Sequence, residues 1–100
     1  MLLYNVTLII EDSVAQEWLA WMQEIHIPEV MGTGKFVSNR LLKVLDSPNE
    51  GLTYCVQYIA ETEASYNEYK VQFAPALQAK LQVKFENKVL AFRTLMQFVD

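Results

Sequence analysis

One cysteine, one histidine, three glycines and three prolines in 100 residues leave little material for several kinds of chemistry. Cys55 has no second thiol to pair with, so no intrachain disulfide forms and a reducing compartment is expected. Cys55 and His26 together fall short of a tetrahedral zinc cage, and the His26-x-x-Glu29 spacing is interrupted by Pro28. No metal and no cofactor are expected. Basic runs are missing as well: eight Lys and Arg face twelve Asp and Glu, a net charge of -4. Binding to nucleic acid or an anionic membrane depends on clustered cations, and both are excluded as expected partners. No window approaches the roughly 18 unbroken apolar residues of a membrane span. The opening Met1–Asn5 stretch has no basic leader and no cleavage signal, so it is taken as a first strand, and the expected location is cytoplasmic. Gly32-Thr33-Gly34-Lys35 lacks the remainder of a phosphate loop, and no nucleophile elbow is present.

What is present is apolar. Hydrophobic residues make up 52% of the chain and charged ones only 20%. That is slightly above the globular norm of about 45–50%, in a chain whose core is limited by its size. More apolar surface exists than one small core hides, which points to an oligomer. The length suits one domain, residues 1–100.

Leu3 to Glu11 alternates with period two and predicts a strand. Ser13 and Gln16 have capping-box spacing, and Val14, Trp18, Trp21, Met22 and Ile25 then recur as one helical stripe. Pro28 predicts the end of that helix near His26. Alternation returns over 35–45 and 52–60, separated by the turn formers Asp46 to Gly51, and predicts a hairpin. Ser65 with Glu68, or Thr62 as an alternative start, opens a second helical region. Its stripe is Tyr66, Tyr69, Phe73, Leu77, Leu81 and Phe85, kinked or divided at Pro75. Residues 88–99 form a last strand. The order β-α-β-β-α-β predicts an α+β, ferredoxin-like fold: a four-stranded antiparallel sheet with two helices on one face, the second kinked at Pro75.

Turning the more apolar side of every strand toward the helices gives an expected core of Val6, Leu8, Ile10, Val37, Leu41, Tyr54, Val56, Tyr58, Leu90, Phe92, Met96 and Phe98. The open side then carries Asn5, Thr7, Ile9, Ser38, Arg40, Leu42, Cys55, Gln57, Ala91, Arg93 and Leu95. A face that mixes leucines with amides and two arginines suits a surface covered by a second copy of the chain. Enclosed arginines need acceptors, so Arg40 and Arg93 are expected to fix an anionic or carbonyl ligand with Asn5 and Gln57 orienting it. The bland alternative is that both arginines snorkel past an interface to solvent. His26 is the expected acid–base group at the rim, set against a simple capping or packing role at a helix end.

Tyr4-Asn5-Val6-Thr7, Trp18-Leu19-x-Trp21-Met22, His26-Ile27-Pro28-Glu29-Val30, Tyr54-x-Val56-Gln57-Tyr58, Ala74-Pro75-Ala76-Leu77 and Ala91-Phe92-Arg93-Thr94 resemble an uncharacterised family of small bacterial proteins. That family resembles in turn the dimeric α+β barrel group, whose members pair two ferredoxin-like sheets and include cofactor-free monooxygenases, isomerases, decarboxylases and stress proteins. The resemblance implies a homodimer through the open sheet face; taken with the polar residues of that face, the expectation is a homodimeric small-molecule-binding protein, a cofactor-free enzyme of monooxygenase or isomerase type among the options, for a small organic acid or quinone-like compound. The alternative is a non-catalytic dimerisation or regulatory module.

Overall fold

The computed structural model describes residues 1–99. Four strands, β1 (Leu2–Ile10), β2 (Ser38–Lys43), β3 (Leu52–Ala60) and β4 (Val89–Gln97), form one antiparallel sheet in the order β2-β3-β1-β4. This is the ferredoxin-like arrangement, with β1 and β3 central and β2 and β4 at the edges. The first crossover consists of a short 3-10 turn (Asp12–Val14), α1 (Ala15–Trp21), a π-helical turn (Met22–His26) and α2 (Ile27–Gly32). The second consists of α3 (Glu63–Gln72) and α4 (Ala74–Lys84). Both crossovers cover the same face of the sheet. The core between them is built on Leu8, Ile10 and Val56 from the sheet and Trp18, Met22, Val30, Leu77 and Leu81 from the helices.

The helix ends differ from the sequence expectation in instructive ways. Helical geometry does not stop at His26; it continues through Pro28 to Gly32. Pro28 lies in the first turn of α2, and the wider π turn immediately before it makes room for the ring and for the missing N–H. That wider turn also rotates less per residue. The buried stripe therefore runs Trp18, Met22, His26, Val30, and Ile25 is turned out to solvent. Ser13 does not cap a helix; its hydroxyl donates to Glu11 Oε1 at 2.8 Å. In the second region Thr62 is the cap, its hydroxyl accepting from the Ser65 N–H, while Glu68 pairs with Lys35. Pro75 does divide the helix in two, with Phe73 at the junction.

The largest correction concerns β4. Val6 faces Arg93, Tyr4 faces Leu95 and Leu8 faces Ala91, and residues directly opposite in an antiparallel pair share a sheet face. Arg93 therefore lies on the helix side, and Leu90, Phe92, Thr94 and Met96 lie on the open side with Ile9, Thr7, Asn5 and Leu3. Leu90, Phe92, Met96 and Phe98 are exposed and contribute nothing to the core. The sequence rule failed because β4 is apolar on both sides, so choosing the greasier side chose the open one. Val37 is likewise exposed; Phe36 takes the interior position before β2 begins.

Candidate functional site

Correcting β4 separates the two arginines. Arg40 belongs to the open face, where a polar row crosses all four strands: Arg40 opposite Gln57, Gln57 opposite Asn5, Asn5 opposite Thr94. Gln57 Nε2 donates to Asn5 Oδ1 at 3.3 Å, and Asn5 Nδ2 donates to Thr7 Oγ1 at 3.0 Å. Thr7 Oγ1 lies 3.5 Å from the sulfur of Cys55. The row thus satisfies much of its own hydrogen bonding, and Asn5 is already buried within one chain. Rows on either side are mainly apolar: Leu3, Ile59 and Met96 on one, Leu42 and Phe92 on the other. Three of the residues expected to bind a ligand, Asn5, Arg40 and Gln57, thus sit together on a flat face, away from the fourth.

Arg93 and His26 meet on the other side of the sheet. A chamber of about 20 Å³ between sheet and helices is lined by Tyr4, Tyr58, Tyr69, Gln78, His26 and Arg93 over a floor of Val6 and Val56. Tyr4 and Tyr58 reach it because they alternate with Asn5 and Gln57, so the strands that present amides to the open face present phenols inward. Tyr4 is the hub of an aromatic cluster, with ring centroids 5.5 Å from Tyr66, 5.9 Å from Tyr69 and 6.0 Å from Phe36. Gln78 comes from α4, one residue beyond the buried Leu77 and on the flank facing β4.

His26 owes its inward direction to the π turn. It stacks on Trp21 at 4.9 Å, is buried, and leaves Nδ1 without a hydrogen-bond partner. Burial holds its pKa below the ordinary imidazole value; Glu29 opposes that shift, and Lys80 and Arg93 reinforce it. The ring is therefore neutral at physiological pH, with one donor and one acceptor nitrogen. An orphaned buried nitrogen is costly unless something polar comes to it, and the chamber is large enough to admit one water or an oxygen-bearing group.

Burial raises the pKa values of Tyr4, Tyr58 and Tyr69, so all three remain protonated. For Tyr4 the charge of Arg93 and the polar groups of Arg93 and Gln78 partly offset the rise. Arg93 joins none of the three ion pairs among the described residues, which are Lys35–Glu68, Lys80–Glu29 and Lys88–Glu11. The chamber thus combines a guanidinium that pairs with no acid among the described residues, phenolic donors, an amide and a neutral imidazole. Chemically, these groups can donate hydrogen bonds to an oxygen carrying full or partial negative charge.

The tyrosines Tyr4, Tyr58 and Tyr69 are indeed buried in the core, but the sequence reading did not single them out, or Gln78, as lining a cavity. A signal was available: three phenols on the covered side each carry a hydroxyl that must meet something polar. Among the described residues no group of His, Cys, Asp and Glu is arranged to hold a metal. Nor, among the described residues, is any helix long and apolar enough to cross a membrane.

The DUF4286 family model, described as a domain of unknown function, matches residues 1–99. No curated protein is similar to the chain in sequence. Among solved structures, a dimeric ferredoxin-like protein from an uncultured marine organism is 14% identical, with a TM-score of 0.73, over 100% of this chain and 96% of that one. SnoaB from Streptomyces nogalater, a cofactor-independent oxygenase, is 11% identical with a TM-score of 0.70, over 99% and 93%. The heme-degrader MhuD from Mycobacterium tuberculosis is 14% identical with a TM-score of 0.71, over 100% and 97%. At such identities the likeness establishes the dimeric α+β barrel type of fold and nothing about activity.

Proposed function

The chain belongs to the DUF4286 family, a domain of unknown function, and from that premise we propose that it is a homodimeric small-molecule-binding protein. Its ligand is a small organic acid or quinone-like compound that presents an oxygen-bearing head to the chamber. The observation that carries this reading is the convergence of Arg93, Gln78, three tyrosines and the unpartnered His26 Nδ1 on one cavity. In a cofactor-free reaction, neutral His26 serves as the base that accepts a proton from an acidic C–H or enol O–H. Arg93 and the Tyr4 hydroxyl then hold the resulting oxyanion.

The second copy covers the open face. Leu42, Leu90, Phe92 and Met96 are exposed on one side of the sheet, and a face of that kind is a protein interface far more often than a free surface. The amides of the central row are bonded to one another, so the row can lose water at low cost, and Arg40 at its β2 end is close to the rim. SnoaB shares the fold, and the marine neighbour is described as dimeric. A cytoplasmic setting accords with the free thiol of Cys55.

A dimer whose chamber holds only water is the competing reading, and the small chamber volume favours it. Thermal-shift measurements with aromatic and aliphatic carboxylates and hydroxyquinones decide between them. Stabilisation is expected for the wild type and Arg40→Gln, and is lost in Arg93→Gln. An equal rise in all three proteins, or none in the wild type, refutes the ligand site.

A further inference from the structure

A groove between α4 and β4 shares part of its wall with the chamber. It encloses about 410 Å³, and Gln78, Leu81 and Arg93 line both spaces. The two differ in what they can hold. A chamber of about 20 Å³ has room for about one water, whereas the groove lies in the range of about 300–1,000 Å³ typical of ligand pockets.

The polarity of the groove is ordered along its length. α4 and β4 run antiparallel, so Gln78 stands near Arg93, and Glu86 and Asn87 stand at the opposite end where the chain turns into β4. Gln82 lies between them, and Leu81, Phe85 and Ala91 supply an apolar wall. At 1.5 Å per residue the helix carries the chain roughly 9 Å from Gln78 to its end at Lys84, and Glu86 lies beyond that end. A cation thus marks the inner end and a carboxylate the outer end.

We infer that this groove is the subsite for the body of the ligand, which is an elongated monocarboxylic acid with an apolar middle and a hydrogen-bond donor or amine at its far end. The inference rests on the chamber reading: the acid head lies against Arg93 at the chamber mouth, and the tail donor meets Glu86 and Asn87. A second carboxylate at the tail would face Glu86 and be rejected.

Calorimetry on the full-length protein with three chains of equal length tests this: octanoate, 8-aminooctanoate and octanedioate. The amino acid is expected to bind about tenfold or more tightly than the diacid. Glu86→Gln, an exposed substitution, should erase the difference, and Gln82→Trp should weaken both by filling the groove. Equal affinities in the wild type, with binding still lost in Arg93→Gln, overturn the groove assignment and leave the chamber intact. Binding that survives Arg93→Gln overturns the chamber reading itself.

Discussion

Replacing Phe92 by alanine tests the corrected face of β4 and the dimer together. Phe92 is 55% exposed on the open side, opposite Thr7. With about 200 Å² for a whole phenylalanine, roughly 110 Å² remains to be covered by a partner. At about 25 cal/mol per Å² that is close to 3 kcal/mol per protomer, and a twofold axis counts it twice. Alanine retains roughly a third of the area, so Phe92→Ala should weaken the dimer by about 3–4 kcal/mol, two to three orders of magnitude in Kd. Sedimentation velocity over a dilution series measures this directly. Val71→Ala is the control: Val71 is more exposed still but lies on α3, on the far side of the molecule, and its loss should leave Kd unchanged. A wild type that is monomeric throughout, or a Phe92→Ala protein that dissociates no more readily than Val71→Ala, refutes the assignment of this face to a second copy.

Three further outcomes follow from local geometry. Because the folded-state pKa of His26 is depressed, the unfolded chain takes up the proton first. The contribution to stability is therefore full above about pH 6.5 and is lost as pH falls below it; urea midpoints from pH 7.5 to 5 should fall more steeply for the wild type than for His26→Asn, and parallel slopes would show that the ring titrates freely. Gly51 has a φ of 84°, and an added Cβ would lie 2.5 Å from the Ile10 carbonyl oxygen, so Gly51→Ala should cost about 2 kcal/mol or more in chemical denaturation. Gly32→Ala at the end of α2 meets nothing within 4 Å and should gain up to about 1 kcal/mol.

The architecture was legible because local signals agreed: alternation in four segments, two helical stripes, and a cluster of turn formers at 46–51. The strand faces were legible only where the two sides differ in polarity. β1 and β3 pass that test, with Val6, Leu8, Val56 and Tyr58 inward and Asn5 and Gln57 outward. β4 does not, because both its sides are apolar apart from Arg93, Thr94 and Gln97. Assigning its greasier side to the core presupposes one covered face, and the exposed row of Leu90, Phe92 and Met96 is what a strand looks like when a second surface is also to be covered. His26 was hidden for another reason. An α-helical period puts Ile25 inward, and only the π turn before Pro28 exchanges the two.

These two failures fall at the same place. β4 is an edge strand whose helix side is only partly covered: Arg93 and Leu95 remain exposed there although Tyr4 and Val6 beside them are buried. Its alternation gives it two sides, with Phe92, Thr94 and Met96 on the exposed face proposed for a partner and Ala91 and Arg93 forming a wall of the groove. An isolated edge strand is held on one side only, by its ladder to β1. A second copy on that open face, as proposed, would limit bending of β4 away from the sheet and so hold Arg93 near Tyr4. On the proposed function, assembly and recognition are coupled through one strand. A substitution on the dimer face should weaken ligand binding in proportion to the fraction of monomer it creates, with no contact between the substituted side chain and the ligand.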